Sequence, residues 1–158
     1  MDSSNMTSEI SDWFRANKRN WGRTLDVGSL DVNGNVREFF KDYTGLDQQN
    51  GSNVDVVGNG HELPFPDESF DTVLALNAIE HDPEFWVTIA EMKRVLKKGG
   101  FIVLITPNYF YKTYHGHPGD YYRFSQDSFR FFVRGYANTD VGFLPNRGDM
   151  VYAIGQKT

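Results

Sequence analysis

The chain has 158 residues, a formal net charge of −5 and no cysteine. Its length favours one domain over 1–158, and the lack of cysteine excludes disulfides, thiolate catalysis and cysteine-ligated zinc. Because the charge balance is acidic and the basic residues are scattered, we expect no nucleic-acid partner. No apolar run reaches transmembrane length and the first eight residues lack a signal-peptide pattern, which predicts a cytoplasmic protein without a membrane partner.

The N-terminal segment predicts an amphipathic leading helix. Residues 1–6 are expected to be disordered. After them, apolar side chains recur at roughly helical spacing, and Thr7 or Ser8 can serve as the N-cap. These apolar residues are Ile10, Trp13, Phe14 and Trp21.

The stretch 23–34 has the pattern of a strand that ends in a glycine turn and leads into a helix. Leu25 and Val27 flank Asp26 in a short β-forming run, and Gly28 permits a turn without a Cβ atom. The helical pattern of residues 35–43 should pack on the sheet. Strand, turn and helix in this order are typical of a loop that meets a cofactor, although many purely structural turns share the pattern.

A second acidic residue strengthens the cofactor interpretation. Asp47 ends the next apolar run, where a carboxylate can accept hydrogen bonds from both hydroxyls of a ribose. Only six residues then precede a third strand at 54–58, too few for a crossover helix. A hairpin and a bare parallel return both remain open. The parallel return is favoured because it brings residues 58–60 to the edge that carries Gly28 and Asp47.

The second half of the chain contains two apolar runs, 70–77 and 101–107, that predict strands buried on both faces. A helix from about Pro83 to the Gly99-Gly100 pair should join them. Half of the aromatic residues fall between Tyr109 and Phe143, many of them in a loop at 108–124 that forms either core or a substrate wall. Ser125 should cap a short helix that Gly135 ends, and the strands 139–144 and 150–155 should pair as an antiparallel hairpin.

Several motifs occur in the order and spacing of a known family. They are the Asp26-x-Gly28 turn, Asp47, Asn59 before His61, the Phe70-Asp71 and Glu80-His81 pairs, and Glu91, Arg94, Gly99 and Gly100. Together they resemble a class I S-adenosylmethionine-dependent methyltransferase of the small type-11-like group, most strongly over 23–107. The resemblance implies an α/β fold: a compact single domain with a Rossmann-like, mostly parallel seven-stranded sheet and an antiparallel last strand. It also implies an enzyme that moves a methyl group from S-adenosylmethionine to an O or N nucleophile of a small or medium acceptor by in-line displacement, leaving S-adenosylhomocysteine.

The resemblance further implies which residues hold the cofactor. Asp26, Gly28 and Ser29 lie near its methionine part, Asp47 binds the ribose, with Gln48 beside it in the site, Asn59 and Gly60 meet the adenine edge, and Asn77 lies beside the sulfonium. Two features depart from the family pattern. The loop after the first strand has fewer glycines than usual, and the helix after the second strand is missing.

The catalytic candidates are His81, His117 and Tyr121, which can orient the acceptor or accept its proton. His115, His117 and Asp120 could also bind a divalent metal, but no further His or Cys supports a closed site, so no metal is expected. The expected partner is a small-molecule acceptor, and a homodimer is allowed.

Two other functions remain open at this stage. A non-catalytic S-adenosylmethionine-binding sensor or partner subunit would keep the same cofactor residues. A nicotinamide dehydrogenase would share the strand, the turn and Asp47, but the glycine triplet of a phosphate loop is missing.

Overall fold

A computed structural model describes residues 3–111, 114, 119–146 and 148–158. The helices are α1 (Ser3–Ala16), α2 (Phe85–Val95) and α3 (Gln126–Phe132), with 3-10 turns at Arg37–Phe39 and Ile79–His81. The strands are β1 (Arg23–Val27), β2 (Asp42–Asp47), β3 (Val56–Val57), β4 (Phe70–Leu76), β5 (Leu96–Pro107), β6 (Ala137–Phe143) and β7 (Met150–Gln156).

The seven strands form one sheet in the order β3-β2-β1-β4-β5-β7-β6. Strands β1 to β5 are mutually parallel, whereas β7 runs antiparallel to both β5 and β6. The predicted fold class is therefore confirmed, including the closing hairpin. The parallel return of the third strand is confirmed as well, since Leu46 pairs with Val56 and Asp47 with Val57 in parallel register.

Helices cover both faces of the sheet. On one face α2 and α3 pack over the fully buried Val73, Ile102 and Leu104. On the other face α1 contributes an aromatic cluster in which Trp13 and Phe14 meet edge to face at 5.0 Å. The predicted amphipathic helix is confirmed for Ile10, Trp13 and Phe14, whereas Trp21 lies beyond its end at Ala16. Burial on both faces explains the continuous apolar runs of β4 and β5.

Two predictions about helix boundaries near the N-terminus are wrong. Helix α1 begins at Ser3, so residues 3–6 are helical rather than disordered, and Thr7 and Ser8 lie inside the helix instead of capping it. No glycine or proline interrupts the run up to Ala16. The helix predicted over 35–43 is reduced to the turn Arg37–Phe39. Phe40 already has extended dihedral angles (φ −125°, ψ 137°), because the chain must enter β2 at Asp42.

Two later boundaries also differ from the prediction. The third strand has two residues, Val56–Val57, instead of five. Helix α2 ends at Val95 rather than at the glycine pair, because Leu96 turns extended and pairs with Phe70 in the sheet. Gly99 (φ +82°) instead donates its N–H to the Lys157 carbonyl at 2.7 Å, which ties β5 to the end of the chain. Among the described residues no helix has the length and apolarity needed to span a bilayer.

Candidate functional site

The carboxyl ends of four neighbouring parallel strands meet along one edge of the sheet. In the order β3, β2, β1, β4 these ends carry Asn59 just beyond the strand, Asp47, Gly28 and Asn77. Open α/β sheets bind ligands at this edge, where the strand order reverses. The structure thus brings the residues predicted to meet adenine, ribose, methionine and the sulfonium together along one edge of the sheet.

The turn after β1 approaches the segment after β4 very closely. Gly28 has φ +84°, a conformation that favours glycine, and a Cβ atom built on it would lie 2.7 Å from the Cβ of Ala78. The N–H groups of Gly28 and Ser29 both donate to the Leu46 carbonyl, at 2.8 and 3.0 Å. The backbone of this turn is therefore held between the ends of β2 and β4.

Asp26 lies under the turn as a buried carboxylate, 4% exposed. The Tyr43 hydroxyl donates to its Oδ2 at 2.5 Å, whereas its Oδ1 has no hydrogen-bond partner among the described residues. Burial raises the pKa of Asp26 to about 6, and the Tyr43 hydrogen bond opposes this shift. Burial also raises the pKa of Tyr43, so the phenol keeps its proton and remains the donor.

Asn77 offers a second unpaired oxygen at the neighbouring strand end. It adopts φ +50°, and its N–H donates to the Ile105 carbonyl at 2.8 Å. Its Oδ1 is buried and, within the described part of the chain, has no partner. Buried acceptors are normally paired, so two such oxygens at the neighbouring strands β1 and β4 suit a ligand that brings N–H donors or positive charge. S-Adenosylmethionine, with an ammonium and a sulfonium, fits this requirement.

The Asp47 carboxylate accepts hydrogen bonds from the loop after β1 and from the loop after β2. Its Oδ2 accepts from Leu30 N at 3.1 Å and its Oδ1 from Gln49 N at 3.0 Å. Each carboxylate oxygen keeps a second lone pair, which leaves capacity for the two ribose hydroxyls. Gln48, the neighbouring candidate, is exposed at the rim of the same loop.

The candidates after β3 lie beside the start of α2. Asn59 is exposed, and its Oδ1 accepts from His61 N at 2.9 Å. Gly60 lies in the angle between β1 and α2, where a Cβ atom would approach Thr88 Oγ1 at 3.3 Å and Val27 Cγ1 at 3.4 Å.

A polar network that the sequence does not reveal links the short turn Arg37–Phe39 to the loops after β1 and β2. Arg37 donates to Asp55 Oδ2 at 2.6 Å and to Asn53 Oδ1 at 2.9 Å. Asn53 in turn donates to the Tyr43 hydroxyl and to the Ser29 carbonyl, both at 2.9 Å, and its own carbonyl accepts from Ser29 Oγ at 2.8 Å. The network connects the cofactor turn to the loop 48–55, which replaces the missing crossover helix.

A second missed contact links the loop after β3 to α2. His61 Nε2 lies 2.9 Å from Asp82 Oδ1, and Thr88 Oγ1 donates to Asp82 Oδ2 at 2.6 Å. The Pro-rich composition of 61–69 predicted a loop but carried no signal for this pairing, because the partners are far apart in sequence.

The acceptor-side candidates lie where the segment after β4 meets residues 119–124. His81 is half-buried in the turn Ile79–His81, and its Nδ1 is hydrogen-bonded to the Gly119 carbonyl. Tyr121 donates its N–H to the Glu80 carbonyl at 2.9 Å, while its side chain is 58% exposed. The structure therefore brings His81 and Tyr121 together. His117 lies outside the described residues.

The described aromatic residues of 108–124 differ in burial. Tyr111 and Phe124 are buried, at 4% exposure each, and belong to the two clusters that flank the sheet. Tyr122 is half-buried against one of these clusters, and the others are exposed: Tyr109, Phe110, Tyr114 and Tyr121. The segment is thus partly core and partly an open aromatic surface above the end of β5.

Glu80 is a buried carboxyl group for which the sequence predicts no role. It is 0% exposed, and neither carboxylate oxygen has a hydrogen-bond partner among the described residues. Burial, its largest cause, raises the pKa of Glu80 to about 8. Its place in the chain, three residues after Asn77, is close to the predicted reaction centre.

A sequence model of the methyltransferase domain family matches residues 12–104. The chain belongs to this methyltransferase family. The demethylmenaquinone methyltransferase of Staphylococcus aureus is 37% identical over 95 residues, which is 60% of this chain and 38% of that protein. The chain therefore spans well under half the length of the curated relatives it matches.

Solved methyltransferase structures share the fold. A S-adenosylmethionine-dependent methyltransferase from Archaeoglobus fulgidus superimposes with a TM-score of 0.72 at 16% identity, covering 94% of this chain and 93% of that one. The 1,6-didemethyltoxoflavin-N1-methyltransferase of Burkholderia thailandensis, solved with S-adenosylhomocysteine and its acceptor, gives a TM-score of 0.73 at 17% identity over 97% and 78% of the two chains.

These comparisons confirm the predicted methyltransferase family and its fold. They lend no support to the sensor alternative. The roles of individual residues stay predictions. Over the described ranges, no group of three or more His, Asp or Glu side chains is placed to hold a metal ion.

Proposed function

We propose that this chain transfers a methyl group from S-adenosylmethionine to an O or N nucleophile of a small or medium acceptor. The observation that carries the proposal is a pair of buried oxygens, Asp26 Oδ1 in β1 and Asn77 Oδ1 just after β4, that have no hydrogen-bond partner among the described residues. Buried acceptors without a protein partner suit a cationic ligand with N–H donors.

The donor would lie along the strand ends, held by the residues that the family resemblance assigns. Asp47 accepts the ribose hydroxyls, with the exposed Gln48 beside it. Asp26 and the Gly28-Ser29 turn receive the methionine part, and Asn77 borders the sulfonium. Asn59 and Gly60 complete the adenine end. The common position of these residues at the strand ends supports this arrangement, because a carboxylate suits the ribose hydroxyls and a glycine turn allows close approach of the methionine part.

S-Adenosylmethionine supplies a methyl group that its sulfonium already activates for displacement. The protein then has to align the acceptor with that methyl group and exclude water. His81 is oriented for such a task by the Gly119 carbonyl, and Tyr121 presents an exposed ring and hydroxyl beside it. We assign His81, Tyr121 and His117 to the acceptor side.

Calorimetry with S-adenosylhomocysteine, with NADH as the control ligand, tests the donor site. Binding of S-adenosylhomocysteine alone is the expected result, and binding of NADH alone would contradict the proposal. Turnover with labelled S-adenosylmethionine against a panel of small amines and hydroxyl compounds then separates an enzyme from a sensor: a chain that binds the cofactor but methylates nothing in the panel would favour the sensor.

The remaining predictions concern organisation. We propose one domain over 1–158, a cytoplasmic location and a homodimer as an allowed state. Light scattering at several protein concentrations would measure the assembly state, and limited proteolysis followed by mass spectrometry would reveal a second folding unit as a protected fragment.

A further inference from the structure

A series of hydrogen bonds runs from Arg37 to the buried Asp26 carboxylate. Arg37 Nε donates to Asn53 Oδ1 at 2.9 Å, and Asn53 Nδ2 donates to the Tyr43 hydroxyl at 2.9 Å. The Tyr43 hydroxyl in turn donates to Asp26 Oδ2 at 2.5 Å. Each donor therefore points toward Asp26. Hydrogen bonds in such a series polarise one another, so the cationic end strengthens the donor that reaches the carboxylate. Arg37, Asn53 and Tyr43 are called the Arg37 chain below.

The surrounding contacts fix the direction of the Arg37 chain. Arg37 Nη2 donates to Asp55 Oδ2 at 2.6 Å, and the guanidinium carbon lies 4.5 Å from the centre of the Tyr43 ring. Asn53 has φ +67°, and its amide nitrogen also donates to the Ser29 carbonyl at 2.9 Å. Both amide hydrogens of Asn53 are thereby used, so its amide oxygen is left to accept from Arg37.

Burial and the Arg37 chain have opposite effects on Asp26. Burial is the largest effect and raises the pKa of Asp26 from 3.8 to about 6, and the charge of Asp47 acts in the same direction. The Tyr43 hydrogen bond and the charge of Arg37 lower this pKa. The balance leaves the carboxyl group mostly ionised at neutral pH. Because Oδ2 is bound to Tyr43 and Oδ1 has no partner among the described residues, Oδ1 is the oxygen available to a ligand.

We propose that the Arg37 chain holds the Asp26 carboxylate ionised and oriented for the ammonium group of the methyl donor. The inference rests on the proposed function, in which Asp26 receives the methionine part, and it adds the positioning residues that set the charge of that subsite. An ionised carboxylate binds an ammonium group through a charge-assisted hydrogen bond, whereas a protonated carboxyl group has no charge to attract it. Affinity for the cofactor should therefore follow the ionisation of Asp26.

Two variants break the Arg37 chain at different points. Tyr43→Phe removes only the hydroxyl group that donates to Asp26. Arg37→Met removes the positive charge at the far end, from a side chain that is 42% exposed. Tyr152→Phe is the matched control, because it also removes a tyrosine–aspartate hydrogen bond, the one to Asp140 at 3.0 Å. Tyr152 lies in β7, and three strands separate β7 from β2 in the sheet.

Calorimetry from pH 5 to pH 8.5 compares S-adenosylhomocysteine with its desamino analogue, which lacks only the ammonium group. In the native chain the affinity for S-adenosylhomocysteine should rise with pH up to about 6 and stay level above it, because this ligand binds the ionised form of Asp26. The affinity for the desamino analogue should lack this rise.

The variants should move the pH profile of S-adenosylhomocysteine binding to higher pH. Tyr43→Phe should lower the affinity at least about tenfold at pH 7, the scale of one charge-assisted hydrogen bond, and the loss should shrink at pH 8.5 as the carboxyl group ionises again. Arg37→Met should give a smaller loss of the same kind, because its charge acts from farther away. Tyr152→Phe should match the native chain. A merely structural defect would weaken binding at every pH.

The ionisation can also be followed without a ligand. The carboxyl carbon of Asp26, assigned by comparison with Asp26→Asn, should titrate in NMR spectra near pH 6 in the native chain. It should titrate at higher pH in Tyr43→Phe and in Arg37→Met, and at the native pH in Tyr152→Phe.

The inference is overturned if Asp26 titrates at the same pH in the native chain and in both variants, if the variants bind the two ligands equally weakly, or if their loss of affinity is the same at every pH. Should Tyr43→Phe fail to fold, Arg37→Met decides, and a native pH profile in that variant overturns the inference. These results leave the proposed function intact. A native chain that binds no S-adenosylhomocysteine at any pH would instead contradict the proposed function, whereas the NMR titration would still test the Arg37 chain.

Discussion

Replacing Gly28 by alanine tests how closely the cofactor turn is packed. The φ of +84° costs a residue with a Cβ atom about 1–2 kcal/mol. The new Cβ would lie 2.7 Å from the Ala78 Cβ, far inside the ordinary contact of about 3.5–4.0 Å, and relieving such a clash costs about 1–3 kcal/mol. We therefore expect Gly28→Ala to destabilise the fold by about 2–5 kcal/mol, or roughly 4–20 °C in melting temperature for a domain of this size.

The chain offers a matched control that separates the two contributions. Gly135 has φ +81°, and within the described residues a Cβ atom there would meet nothing closer than 4 Å. Gly135→Ala should show the backbone cost alone, about 1–2 kcal/mol. The difference between the two variants then measures the clash with Ala78.

Chemical denaturation of Gly28→Ala, Ala78→Gly and the double variant completes the measurement. Removing the Ala78 methyl group should relieve the clash but not the backbone strain, so the double variant should be more stable than the sum of the single changes by at least about 1 kcal/mol. Calorimetry with S-adenosylhomocysteine on the same variants measures whether the altered turn also binds the cofactor more weakly. Additive effects within about 0.5 kcal/mol, or a Gly28→Ala variant as stable as the native chain, would refute the reasoning.

Three further predictions address the site. Asp47→Ala should weaken S-adenosylhomocysteine binding by about 1–3 kcal/mol in calorimetry, and unchanged affinity in a folded variant would contradict the ribose assignment. Burial raises the pKa of Asp26 from 3.8 to about 6, so native stability should fall as pH rises through this window, and Asp26→Asn should remove the fall. If the melting temperatures of the native chain and of Asp26→Asn change with pH in the same way, the carboxyl group is not buried and half-paired. Tyr121→Ala should lower methyl transfer at least about tenfold with little change in melting temperature, whereas Tyr111→Ala, at a buried position, should lower the melting temperature by several degrees. If Tyr121→Ala lowers the melting temperature and leaves methyl transfer unchanged, Tyr121 does not belong to the acceptor wall.

The edge of the sheet could be predicted because its signals are local. The apolar runs of β4 and β5 indicate buried strands by themselves, and the glycine and acidic residues that follow β1 and β2 mark their carboxyl ends. Once the strands are parallel, Gly28, Asp47 and Asn77 must lie along one edge. This part of the site depends on strand direction and on little else.

The contacts inside the site could not be predicted because they depend on register and on loop conformation. Tyr43 pairs with Thr24 in the β1–β2 register, and Thr24 and Asp26 share one face of the sheet because they are two residues apart. The Tyr43 side chain therefore lies on the same face as Asp26 and can donate to it. Asn53 reaches this pair only through a positive φ of 67°.

The pair Glu80-His81 shows the same limit. In the structure the His81 ring is hydrogen-bonded to the Gly119 carbonyl, and the buried Glu80 carboxyl group has no hydrogen-bond partner among the described residues. The side chains diverge because the 3-10 turn separates consecutive residues by about a third of a turn.

The two outer strands of the sheet limit how copies of this chain can associate. Strand β3 offers only Val56–Val57 to a neighbour, too short a template for another strand. At the opposite side β6 has an irregular register between Ala137 and Asp140, with Asn138 at φ +50° and the Asp140 carboxylate bonded to the Tyr152 hydroxyl at 3.0 Å. An edge strand with an irregular register and a charged side chain resists the edge-to-edge pairing of sheets that leads to aggregation. Two copies of the chain would therefore have to meet through helices or loops, and the sheet itself ends within one molecule.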